Sequence, residues 1–218
     1  YSFYFDFFLS IKSYFITLFI SLTLGLTFYF LGKRSVKKIN FIEQLILIIS
    51  VYLFIGALIA IPFYFSNLNI NFISSYFESI SGLTSTGFSS FENIKYLDPT
   101  LILWRSSSQW IGGLFFLIFL VLLFSNRSFN YKMTDLTFCG DTNFKSEENI
   151  KNNILKIFIF YSIISFTILF FLSISGVRLF NSLNLSMTLT SNGGFLPADS
   201  LNKIISTNFQ KIIIIISL

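Results

Sequence analysis

The sequence predicts an all-α integral membrane protein, built as two tandem helix–loop–helix repeats preceded by one transmembrane helix. Three observations predict it. Apolar residues make up 54% of the chain and charged residues 11%, where soluble domains carry about 25% charged residues. Several runs of ~20 mostly apolar residues occur, each long enough to cross a bilayer as a helix. Between two pairs of these runs lie stretches of mixed polarity whose apolar parts are too short to cross.

The first span is Tyr14 to Gly32, closed by the basic cluster Lys33, Arg34, Lys37 and Lys38. The second is Ile42 to Phe65. A mixed stretch from Ser66 to Thr100 follows and leads into the third span, Leu101 to Phe124. A polar loop from Ser125 to about Asn153 carries Arg127, Lys132, Lys145 and Lys151. The fourth span is Ile154 to Ile174, and a second mixed stretch runs from Ser175 to Asn202 before a last apolar run from Ile204. The parts are therefore 1–40, a transmembrane helix with a basic loop; 41–125, the first repeat; 126–153, a linker; and 154–218, a second repeat truncated in its inner helix. The chain starts at Tyr1 inside an aromatic run and stops inside the run Ile212 to Ile216, so both ends are expected to be cut. No signal peptide is expected, because the first basic residue, Lys12, follows the first apolar run.

Charge sets the expected orientation. The two basic loops are cytoplasmic by the positive-inside rule. The stretch Ser66 to Thr100, with Lys95 against Glu78, Glu92 and Asp98, then lies outside. The net charge of +5 is explained by these loops and needs no nucleic acid partner; the expected surrounding is membrane lipid. The chain has no histidine and one cysteine, Cys139. That excludes an internal disulfide, a histidine–cysteine zinc site and a Ser-His-Asp or Cys-His catalytic centre. No pair of acids lies within the spans either, so the chain is not expected to be an enzyme.

Each mixed stretch opens with a short amphipathic segment, Asn71 to Ser81 and Leu179 to Leu189. Each then enters a polar, glycine-containing turn: Leu83-Thr84-Ser85-Thr86-Gly87-Phe88, and Leu189-Thr190-Ser191-Asn192-Gly193-Gly194-Phe195. Pairing Gly87 with Gly193 gives a repeat offset of 193 − 87 = 106 residues. Irregular backbone at membrane depth is tolerated only when protein surrounds it or it lines a watery cavity. A dehydrated cation needs a ring of oxygen ligands, and backbone carbonyls supply them without a fixed charge. Glycine reaches the required backbone angles without steric cost, and a helix C-terminus adds partial negative charge nearby. The candidate ligands for a potassium ion are the carbonyls of Thr84, Ser85, Thr86 and Gly87, and of Thr190, Ser191, Asn192 and Gly193. A ring of this kind, as in potassium channels, needs about four loops, and two are present. Arg105 is expected near the outer start of its helix, either bracing the first loop through Glu78 or anchoring at the interface. Asp98-Pro99 reads as a helix start, and Gly112 with Gly113 as a close-packing point.

These residues resemble the TrkH/TrkG and KtrB potassium transporters and the related Trk/HKT proteins. The segment Tyr76-Phe77-Glu78-Ser79-Ile80-Ser81-Gly82-Leu83-Thr84-Ser85-Thr86-Gly87 is similar to that family's first pore helix and filter. Leu103-Trp104-Arg105-Ser106-Ser107-Ser108-Gln109-Trp110-Ile111-Gly112-Gly113 resembles the inner helix that follows it. Asn192-Gly193-Gly194-Phe195 with Ala198-Asp199-Ser200 resembles the second filter. Ser85 and Asn192 depart from the Thr and apolar residues common in these filters. The resemblance implies a fold of four repeats around a pseudo-fourfold pore, of which this chain carries two. It implies potassium uptake across a bacterial inner membrane as a pore-forming subunit, with no cofactor and potassium as the transported ion. It also implies a homodimer and a cytoplasmic nucleotide-binding regulatory subunit of the TrkA/KtrA kind. The alternatives are an inactive or split half of such a transporter, and a pathway for sodium.

Overall fold

The computed structural model describes residues 8–33, 40–66, 70–91, 94, 97–124 and 147–217. Arg34, Lys37, Lys38, Lys95, Cys139 and most of the linker assigned to 126–153 lie outside them. The helices are α1 (Phe8–Lys33), α2 (Phe41–Tyr64), α3 (Phe72–Leu83), α4 (Pro99–Phe124), α5 (Glu147–Ile174), α6 (Leu179–Thr190) and α7 (Asn208–Ser217). A 3-10 turn covers Leu201–Lys203, and no strand occurs among the described residues.

Four helices are long and apolar enough to cross a membrane: Ile11–Lys33, Phe41–Tyr64, Pro99–Leu123 and Lys151–Ile174. Each agrees with an expected span. Helix α5 begins at Glu147, seven residues ahead of the span expected from Ile154, because a charged first turn outside the bilayer carries no hydropathy signal. Helices α3 and α6 have 12 residues each. At 1.5 Å per residue they reach about 18 Å, well short of a bilayer core of ~30 Å.

Local chemistry sets the helix boundaries. Asn40 N–H donates to Glu43 Oε2 at 3.0 Å, the reciprocal half of a capping box at the start of α2. Pro99 opens α4, where its missing N–H costs nothing, and the Asp98 carbonyl takes the first bonds from Leu101 N at 2.9 Å and Ile102 N at 3.1 Å.

Helix α3 packs between α2 and α4, and α6 packs between α5 and α4, so α4 is the wall shared by both repeats. Each repeat has its own apolar cluster. One holds Ile59, Phe63, Leu83, Leu97, Leu101 and Ile102. The other holds Ile168, Leu172, Val177, Leu185, Leu189, Ile205 and Ile214. The interior also holds buried polar residues: Ser75, Glu78, Arg105, Gln109, Ser182 and Asn184 among others. Outward faces carry Phe15, Phe19, Phe28, Phe160 and Phe166. This distribution suits lipid, where apolar side chains lose nothing by facing out. Helices there associate through close packing and hydrogen bonds.

Candidate functional site: two re-entrant turns on one inner helix

The two turns fold alike, residue by residue. Helix α3 ends with Thr84 N donating to Ile80 O, Ser85 N to Gly82 O and Thr86 N to Ser81 O. Helix α6 ends with Ser191 N donating to Met187 O, Asn192 N to Leu189 O and Gly193 N to Thr188 O. Each set is a Schellman closure, which needs one residue in the left-handed region just past the helix. Ser85 at φ 54° and Asn192 at φ 52° fill that place. Two residues on, Gly87 at φ 76° and Gly194 at φ 75° are left-handed again.

This geometry corrects the register. The counterpart of Gly87 is Gly194, not Gly193, and the offset is 194 − 87 = 107 residues. The helix starts agree, 179 − 72 = 107, as do the ends, 190 − 83 = 107. Thr84-Ser85-Thr86-Gly87 therefore matches Ser191-Asn192-Gly193-Gly194. Thr190 is the last residue of α6, its hydroxyl bound back to Ser186 O. The shared Thr-Ser pair had suggested the shorter offset. The Gly-Phe pair of Gly87-Phe88 and Gly194-Phe195 is the sequence signal that carries the true one.

Both turns sit deep. A Cβ on Gly112 would run into the carbonyl of Leu83 at the end of α3. A Cβ on Gly113 would lie 2.6 Å from Tyr161 Oη and 3.0 Å from Ser191 Cβ. Gly112 is 13 residues into the 26 of α4, about 20 Å from its start and near its midpoint. The two glycines are thus the point where both turns meet the inner helix. The turns also meet each other, since a Cβ on Gly87 would collide with the Gly193 carbonyl.

The hydroxyls support the turns from behind. Thr84 Oγ1 donates to Ile80 O at 2.7 Å and Thr86 Oγ1 to Ser81 O at 3.2 Å. Ser191 Oγ donates to Met187 O at 3.1 Å. A cleft of about 590 Å³ opens below, lined by Thr84, Ser85, Thr190, Ser191 and Asn192 together with Gly112, Gly113 and apolar residues. None of its lining residues is charged, and the C-terminal ends of α3 and α6 face it with their partial negative charge.

Arg105 and Glu78 stand behind the first turn. Arg105 Nε donates to Glu78 Oε1 at 2.7 Å. Glu78 also accepts from Ser90 N at 2.7 Å and from the Ser89 and Ser90 hydroxyls. The same guanidinium lies 4.1 Å from the ring centroid of Phe195, in the second turn. One turn along α4, Gln109 Oε1 accepts from Phe195 N at 3.2 Å and its Nε2 donates to the Gly193 carbonyl. Sequence reasoning quoted Gln109, Gly194 and Phe195 within the motifs but gave none of them a role. For Gln109 a signal existed. It follows Arg105 by four residues, so the two share a face of one helix, and a polar side chain in a spanning helix must face protein or water. Among the described residues, no cluster of three or more His, Cys, Asp or Glu could hold a metal.

Comparison with known proteins agrees with this architecture. Residues 10–218 match the family described as "TrkH: Cation transport protein". An uncharacterized cation transporter of Methanocaldococcus jannaschii is 29% identical over 170 residues, covering 77% of this chain and 35% of that protein. The Trk system potassium uptake protein TrkG of Escherichia coli is 24% identical over 191 residues, covering 85% of this chain and 39% of the relative. The crystal structure of the potassium transporter TrkH from Vibrio parahaemolyticus superposes with a TM-score of 0.75 at 20% identity, over 95% of this chain and 42% of that one. The chain spans well under half the length of these relatives. This multi-pass membrane chain belongs to the TrkH family of cation transport proteins.

Proposed function

We propose that the chain supplies two filter loops of a pore that takes up potassium across the inner membrane. The ion sheds its water at a ring of backbone carbonyls. In the first loop these belong to Thr84, Ser85, Thr86 and Gly87. In the second they belong to Ser191, Asn192, Gly193 and Gly194, with Gly193 in the register position of Thr86. Glu78 and Arg105 hold the first loop from behind. The observation that supports this reading is the pair of identically closed turns at mid-span, above a cleft with no charged lining. Neutral ligands bind an ion firmly enough to enter and weakly enough to leave. The membrane potential supplies the drive, about 2.3 kcal/mol per charge per 100 mV.

The remaining loops of the ring, a second copy as dimer partner and a cytoplasmic nucleotide-binding subunit complete the assembly in this reading. The chain is a transport subunit and carries out no catalysis. Growth of a potassium-uptake-deficient host on low potassium tests it. The chain, expressed in its natural gene context, restores growth, and Gly87→Val abolishes that rescue because its Cβ meets the Gly193 carbonyl. Unimpaired growth of Gly87→Val would remove the filter assignment.

A further inference from the structure

Each turn is closed by its own short helix, yet the second is also held from outside its repeat. Gln109 belongs to the inner helix of the first repeat, 84 residues from Gly193 and 86 from Phe195. It is fully buried. Its carboxamide donates to the Gly193 carbonyl and accepts from the Phe195 N–H, so it brackets the peptide units on both sides of left-handed Gly194. The fit leaves no slack, since a Cβ on Gly193 would fall on the carboxamide of Gln109. The bracket has no copy one repeat on, where the inner helices start at Pro99 and Asn208, an offset of 208 − 99 = 109 that puts Leu218 at the position of Gln109. The first turn is held differently, through the carboxylate of Glu78.

We propose that Gln109 is a positioning residue that sets the direction of the carbonyls around Gly194, and thereby the discrimination of the second loop among monovalent cations. The inference rests on the cation-pore reading above. A carbonyl has two lone pairs, but an amide donor held on one of them fixes the peptide plane and draws off electron density. The field that carbonyl presents to an ion then depends on the clamp. Because field strength and spacing of carbonyls decide which alkali cation is preferred, losing the clamp changes a ratio between ions and not uptake alone.

Two independent routes remove the clamp. Gln109→Met keeps length and volume and deletes both hydrogen-bonding atoms. Gly193→Ala keeps Gln109 and pushes its carboxamide away. The readout is uptake of radioactive rubidium by cells expressing the chain in its natural gene context, with potassium or sodium as competitor. The expected result is retained uptake in Gln109→Met and lowered uptake in Gly193→Ala, whose site lies in the loop itself, with the potassium-to-sodium competition ratio falling about tenfold in both. That factor corresponds to ~1.4 kcal/mol. The double variant should fall no further than either single one, since both delete one interaction. An unchanged ratio in both variants, or an additive loss in the double variant, overturns the inference. Failure of both variants to accumulate in the membrane overturns it too, because Gln109 would then serve folding alone. A wild-type chain that takes up no rubidium would instead contradict the proposed function. In that event purified protein is melted in potassium and in sodium chloride. A difference between the salts in wild type that vanishes in Gln109→Met keeps the inference, and its absence in wild type overturns it.

Discussion

Arg105 and Glu78 form a fully buried ion pair, Nε to Oε1 at 2.7 Å, with side chains 1% and 0% exposed. The pair joins α4 to α3 across 27 residues of sequence. It has no counterpart in the second repeat, where the register of the short helices, 107 residues, places Leu185 at the position of Glu78, and that of the inner helices, 208 − 99 = 109 residues, places buried Ile214 at that of Arg105. The same architecture is thus closed by charge in one repeat and by apolar packing in the other.

That contrast makes the pair testable. Removing one partner of a buried pair leaves the other charge uncompensated and costs about 3–5 kcal/mol, whereas replacing both with apolar groups is often neutral. Glu78→Gln is expected to lower the melting temperature of the detergent-solubilised protein sharply. Glu78→Leu with Arg105→Ile, which copies the second repeat, should recover most of that loss. The loop after Gly87 also loses its acceptor for Ser90 N, so cation uptake stays impaired in the double variant. Equal melting temperatures for wild type and Glu78→Gln would show that the pair contributes nothing.

Two glycines of spanning helices separate packing from propensity. A Cβ on Gly112 meets the Leu83 backbone, with the carbonyl carbon at 2.6 Å and Cα at 2.8 Å, while a Cβ on Gly25 meets nothing within 4 Å. Backbone cannot rotate aside as a side chain can, so Gly112→Ala must push α3 away from α4. It should destabilise by about 2 kcal/mol or more, within the range for overpacked interiors. Gly25→Ala should be neutral or stabilising by up to ~1 kcal/mol, as Ala replaces Gly in an exposed helix. Thermal melts of the two variants side by side check the contrast, and a Gly112→Ala protein as stable as Gly25→Ala would contradict the close approach.

Ser85 carries two costs at once. It is a non-glycine residue at φ 54°, and its Oγ is buried without a hydrogen-bond partner. Ser85→Gly relieves both, against the greater entropy of a glycine in the unfolded chain, for an expected net gain of about 1 kcal/mol. Asn192→Gly should change stability less, because asparagine tolerates the left-handed region and its side chain is exposed. A loss of stability in Ser85→Gly would show that its hydroxyl has a function at the turn.

The spans were legible because lipid leaves little choice: about 20 apolar residues must form a helix, and polar backbone must pair within it. The short helices were legible as amphipathic segments between spans. The register was not, because Thr and Ser serve equally at the end of a helix and in the turn after it. The shared Thr-Ser of 84–85 and 190–191 therefore falls on different structural positions. What fixes the register is the left-handed backbone at Ser85 and Asn192, and neither residue announces such a conformation as glycine does. The role of Gln109 was hidden for a different reason. Its partners are backbone atoms 84 and 86 residues away, and backbone partners leave no mark in a sequence.

The central claim is that the two turns present oxygen atoms to a bare cation at mid-membrane. Anomalous diffraction from crystals of the protein grown with rubidium tests it most directly. The account predicts rubidium bounded by the carbonyls of Thr84–Gly87 and Ser191–Gly194, next to the uncharged cleft by Gly112 and Gly113. Rubidium found only at surface carboxylates such as Asp199, with none between the turns, would contradict it.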